Sequence, residues 1–203
     1  MAYIYYPGTD EPRALTALGT RPSYLPVDLL AAKQSLGFLA GDRDEDIRLA
    51  LLGVTDKVER RLNRILLTPG TTVVQSYRTW PSTPVQFDWA PVLAITEVSY
   101  VDFDTDLPVV IDPSNYYLVP GEDGRTAMYW DSGYSFPGLA TNGAAVTVTY
   151  TAGYNSAAEI PDSARNLIKI ELRAIYTDDD REAVGAERLA KQLYDNLAWG
   201  NYK

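Results

Sequence analysis

The chain contains neither cysteine nor histidine. Disulfides are excluded, as are thiolate and imidazole metal sites. A Ser-His-Asp or Cys-His nucleophilic centre is equally impossible. Any chemistry is left to carboxylates, Lys, Tyr and Ser, which weighs against an enzyme. Positive charge is also scarce: 18 basic residues face 27 acidic ones, a net charge of −9. Such a chain repels polyphosphate on average and lacks the cationic face of a conventional DNA reader. An acidic surface suits instead a wall past which DNA slides without sticking. No apolar run approaches the roughly 20 residues that span a bilayer, so no membrane is expected as a partner. The opening residues, MAYIYYPGTDEP, have neither the basic start nor the apolar stretch of a secretory signal, and a cytoplasm is the expected place of synthesis and assembly.

What remains is ordinary for a globular chain: 46% hydrophobic and 22% charged residues over 203 positions, enough for one large domain or two small ones. Fifteen tyrosines and four tryptophans stand out. Such residues fill β-rich cores, and they are also enriched at protein interfaces.

Residues 1–25 are punctuated by Pro7, Gly8, Pro12, Gly19 and Pro22 and read as an extended arm. Pro26 opens a short helical pattern that Gly37 closes. A longer helix follows over residues 42–66. Asp42 and Glu45 have capping-box spacing, and Ile47, Leu51, Val54, Val58, Leu62 and Ile65 recur every three or four residues. Its acidic start and basic end (Lys57, Arg60, Arg61, Arg64) complement the helix dipole, and Pro69-Gly70 is the expected stop. From about 68 to 158 Val, Thr and Tyr dominate, with strands expected at Thr71–Trp80, Leu93–Asp102, Tyr116–Val119, Arg125–Trp130 and Ala145–Thr151. Helical spacing returns after Ile160-Pro161, first with Ala164, Ile168, Leu172 and Ile175. After Asp178-Asp179-Asp180 it resumes with Val184, Leu189, Leu193 and Leu197. Amphipathic stripes must be buried against something. The expected class is therefore α+β: a discontinuous α-helical bundle of N- and C-terminal helices (26–67 and 159–198) with an inserted small antiparallel β-domain (68–158) projecting from it. A short tail, 199–203, ends the chain.

Chemical motifs are weak. The string Asp102-x-Asp104-x-Asp106 has calcium-loop spacing, but Leu107 and Pro113 stand where such a loop needs Gly and Glu, so a solvated hairpin tip is expected. Asp178–Asp180 with Glu182 reads as a capped helix–helix turn. Gly121-Glu122-Asp123-Gly124 is acidic and lies between strands, where phosphate binding is disfavoured. The residues expected to contact partners are Lys57, Arg60, Arg61 and Arg64 on the long helix and Trp199, Tyr202 and Lys203 in the tail; for the helix end, solvation alone is the competing account. No catalytic, cofactor or metal residues are assigned.

Three stretches in order resemble the head–tail connector, or adaptor, proteins of long-tailed phages and gene-transfer-agent particles. They are DRDEDIRLALLGVTDKVERRLNRIL, then APVLAITEVSYVD leading to IDPSNYYLV, then AAVTVTYTAGYNSAAEIPDSARNLIKIELRAIYTDDDRE. Together they cover roughly residues 26–185. The resemblance implies a non-enzymatic virion subunit, a helical domain carrying a β-insertion. It further implies assembly as a ring, typically twelve-fold, beneath the portal protein. Such a ring prolongs the DNA channel and docks a stopper or tail-completion protein, with genomic DNA passing through unread. The implied location is the head–tail interface of the virion, after assembly in the host cytoplasm. Two other function classes stay open. Tyr116, Tyr117, Tyr129, Trp130 and Tyr134 can form an aromatic platform for carbohydrate or receptor binding, and two close buried carboxylates in a cleft would mark a hydrolase.

Overall fold

The computed structural model describes residues 13–19, 24–38, 41, 43–66, 70–121, 126–141, 143–177 and 180–197. It resolves into two compact units: Met1–Arg21 with Gly70–Gly153, and Pro22–Pro69 with Tyr154–Lys203. The first holds the strands and the second the helices. The class is α+β, with a discontinuous helical bundle interrupted in sequence by antiparallel sheet.

In the helical unit, α1 (Leu29–Leu36) begins where the Asp28 carboxylate accepts the Ala31 amide at 2.7 Å and ends at Gly37, whose φ of 75° is left-handed. Helix α2 (Asp44–Leu62) buries Ile47, Leu51, Val54, Val58 and Leu62 along one stripe, as their spacing predicts. Its ends differ from expectation. Asp42 of the supposed capping box lies outside the described residues, and the Glu45 carboxylate is held instead by two bonds from Arg48, at 2.8 and 2.9 Å. The helix stops at Leu62 rather than at Pro69-Gly70. Asn63 turns to a left-handed φ of 51°, and the Arg64 amide returns to the Glu59 carbonyl at 3.1 Å. Ile65 continues the spacing in sequence and is fully buried, but beyond the helix.

Helices α3 (Asp162–Tyr176) and α4 (Asp180–Leu197) complete the bundle. Ala164, Leu167, Ile168 and Leu172 of α3 join α2 in one core, whereas Ile175 is 60% exposed. On α4 the buried stripe runs through Ala190, Tyr194 and Leu197, with Ala183, Ala186 and Leu193 half-buried. Of the four expected apolar members, Leu193 and Leu197 face this side, but Val184 and Leu189 are 65% and 46% exposed. Small alanines let α4 lie close to its neighbours, and a pattern of large apolar residues does not see them.

The other unit contains a five-stranded antiparallel sheet of order β1-β2-β8-β4-β5 and a three-stranded one of order β3-β7-β6. Its strands are β1 (Arg13–Leu18), β2 (Thr71–Tyr77), β3 (Val85–Gln86), β4 (Val92–Val101), β5 (Pro108–Val110), β6 (Tyr116–Pro120), β7 (Thr126–Trp130) and β8 (Val146–Ala152). Central β8 alternates as its sequence predicts: Val146, Val148, Tyr150 and Ala152 are buried, the threonines between them half-buried. Residues 13–18, expected within an arm, pair with β2 and form a sheet edge; the segment RALTAL between Pro12 and Gly19 contains no strand breaker. The core of this unit includes one polar knot. Gln75, fully buried, donates to the Gln86 carbonyl (2.9 Å) and accepts from the Asp88 amide (3.1 Å) and the Tyr150 hydroxyl (3.3 Å).

Candidate functional site

The basic end of α2 is where partner contacts were expected, and the structure turns one of its four cations inward. The Lys57 ammonium bridges to Glu171 of α3 at 2.6 Å. The Arg61 guanidinium lies 3.9 Å from the ring centroid of Tyr194 on α4, a cation–π contact. Arg64 is buried at 8% exposure. Arg60 pairs along the helix with Asp56 at 2.8 Å. Side chains of Lys57 and Arg60 keep 57% and 53% of their exposure, and Arg61 is exposed as well, so Arg64 alone of the four is buried. Trp199, Tyr202 and Lys203 lie outside the described residues.

Two buried carboxylates organise this region, and sequence inspection missed both. Glu59 accepts the Leu66 amide at 2.6 Å, holding the chain as it leaves α2. Glu171, only 7% exposed, meets Lys57 and lies beside Tyr194. Burial first, and then the Glu171 charge, push the Tyr194 phenol well above its ordinary pKa, with Arg61 opposing. A signal was present: Glu171 falls among Leu167, Ile168 and Leu172, on the apolar side of α3. Elsewhere in this unit the nearly buried Lys33 is ion-paired with Asp44, joining α1 to the start of α2. Arg173 pairs with Glu182 across the α3–α4 junction, where Asp178 and Asp179 fall outside the described residues.

A cleft of about 340 Å³ opens among Leu25, Val27, Asp28, Asp162, Arg165 and Lys169. Its two carboxylates are exposed and engaged, Asp28 in capping α1 and Asp162 with Arg165 at 2.7 Å. Neither Glu59 nor Glu171 lines it. The pair of close, buried acids that a glycosidase requires is therefore not in this cleft.

In the strand unit the five aromatic residues of the expected platform do not form one row. Trp130 is buried, stacked on Tyr134 at 5.4 Å and edge-on to Trp80 at 5.6 Å, with its indole N–H on the Pro81 carbonyl at 3.1 Å. Phe136 and Tyr116 pack against the same ring. Tyr117 and Tyr129 stack at 6.0 Å as a separate pair, one residue along each strand and hence on the opposite face. In the larger group Trp130 is buried, Trp80, Tyr116 and Tyr134 are half-buried around it, and Phe136 is exposed. At the β4–β5 turn, Asp102 behaves as expected of a hairpin tip: its carboxylate accepts from the Asp104 and Thr105 amides and the Thr105 hydroxyl, at 2.9 to 3.1 Å. The Gly121–Gly124 turn extends beyond the described residues.

No protein-family model matches the sequence. No curated protein matches it significantly either. Solved structures do match. A chain from the virion of a native gene transfer agent (GTA) particle superposes with a TM-score of 0.65 at 18% identity. A chain from the neck of an empty GTA particle, computed with C6 symmetry, gives 0.66 at 16%. One from the neck of a native GTA particle, computed with C12 symmetry, gives 0.62 at 18%. Each match covers 90% of this chain and 94% of the other. At these identities the finding concerns fold: helices and inserted strands follow the same architecture nearly end to end.

Proposed function

We propose that the chain is a non-enzymatic structural subunit of a phage-like virion, a head–tail adaptor. It assembles as a ring beneath the portal, extends the DNA channel and docks a stopper or tail-completion protein. The observation that carries this reading is the similarity of fold, over 90% of this chain, to chains of GTA particles, two of them from neck reconstructions with cyclic symmetry. Composition agrees: no cysteine or histidine for nucleophilic or metal chemistry, and a net charge of −9 that leaves DNA unbound as it passes. Contacts follow from what the helices leave outside. Lys57 and Arg60 face a neighbouring protein, Arg61 covers the Tyr194 ring, Arg64 is buried, and the tail residues Trp199, Tyr202 and Lys203 engage the portal.

The test is genetic. Particles made without this chain should accumulate as heads and tails that fail to join. Complete, infectious or gene-transferring particles made in its absence would refute the role.

A further inference from the structure

Helix α4 carries a stripe on the face turned away from its buried residues. Arg181, Val184, Arg188 and Lys191 recur at intervals of three and four, and all are exposed. Three cations outnumber the one carboxylate on this face, Asp195, in a chain of net charge −9. Arg188 and Lys191 form no ion pair among the described residues. Val184 sits in the middle at 65% exposure.

The β4–β5 turn has the opposite charge on a similar apolar base. Phe103, Leu107 and Val110 are 60%, 62% and 61% exposed, and Asp104 and Asp106 are exposed among them. The turn is tightly built. Besides the bonds to the Asp102 carboxylate, the Asp102 amide donates to the Leu107 carbonyl and the Asp106 amide to the Asp102 carbonyl, both at 3.0 Å. Large apolar side chains are thus held in water on a preorganised support, and docking them costs little ordering entropy.

We propose that these surfaces are the two halves of one contact between copies: the β4–β5 turn of one subunit seats on the α4 stripe of the next. Phe103 and Leu107 cover Val184, while Asp104 and Asp106 face Arg188 and Lys191. The contact rests on the ring reading above. A closed ring of identical subunits requires two different, complementary patches on each, and opposite charges around apolar centres supply them. Nucleic acid is the lesser fit, since a phosphate backbone answers the cations but leaves Val184 and the apolar turn without a counterpart.

With no native cysteine, disulfide trapping is clean. In purified particles bearing Asp104→Cys and Arg188→Cys on the same chain, mild oxidation should give a ladder of covalent species beyond the dimer; neither single variant should. In parallel, Asp104→Arg or Arg188→Asp alone should lower particle yield at least tenfold. Combining them should restore most of it, a rescue that misfolding would not allow. A neck ring containing this chain whose cysteine pair stays monomeric overturns the contact and leaves the ring reading standing. So does an Arg188→Asp ring that assembles normally but retains less DNA, which would place the stripe against the genome. A chain missing from the neck altogether would sink the ring reading and this contact with it.

Discussion

Glu171 shows how one residue ties the helical unit together. Its carboxylate is nearly buried, and Lys57, more than half exposed, supplies the compensating charge. Lys57→Met leaves a buried carboxylate without that partner and should cost about 1–3 kcal/mol in chemical denaturation. Glu59→Ala should cost a similar amount, about 1–3 kcal/mol, by stranding the buried Leu66 amide. Glu59→Gln, which keeps an acceptor oxygen, should cost less. Tyr194 gives a pH signature with a definite sign. Its folded-state pKa is raised, so the protein holds the phenol's proton more tightly folded than unfolded. That stabilisation is fully present below the ordinary tyrosine value of about 10 and is lost as pH rises above it. Unfolding free energy measured against pH should therefore fall more steeply above pH ~10 for the native chain than for Tyr194→Phe. Parallel curves would show that the phenol is not held in its neutral form.

At the scale of elements, α4 separates what spacing reveals from what it hides. Large apolar residues at helical intervals marked α2 and most of α3 correctly, because those faces are buried through Ile, Leu and Val. On α4 the same rule placed Leu193 and Leu197 correctly but also selected Val184 and Leu189, which face solvent, since alanines and a tyrosine carry the rest of the buried stripe. Val184→Ala should then change stability by no more than about 0.5 kcal/mol. Ala190→Leu, forcing bulk into a 3% exposed position, should cost about 1–3 kcal/mol by thermal or chemical unfolding. The long strands were readable from β-branched alternation, above all β8. Strands β3 and β5, of two and three residues, are too short to show a period. Strand β1 was obscured by the Pro and Gly residues on either side of it. The buried acids Glu59 and Glu171 escaped notice for a different reason: a charged residue on an amphipathic helix is normally solvated, and only its place among apolar neighbours marks it as internal. The basic end of α2 reversed that error. Four cations read as one outward patch, yet Arg64 is buried and Arg61 lies over Tyr194.

At the scale of the whole molecule, residues 22–69 and 154–203 build one helical unit, while the segment between them and the N-terminal strand β1 build the other. An assembly protein can use such a division to place different partners on different surfaces. Removal of residues 199–203 should abolish binding to purified portal while leaving the circular dichroism spectrum unchanged; unaltered binding would take the tail out of that role. The central claim is position in a particle. A symmetric electron-microscopic reconstruction of the neck of intact particles measures it directly. The expected result is this chain as a closed ring between portal and tail, encircling the DNA path. Finding the chain elsewhere in the virion, or a neck ring made of another protein in that place, would contradict it.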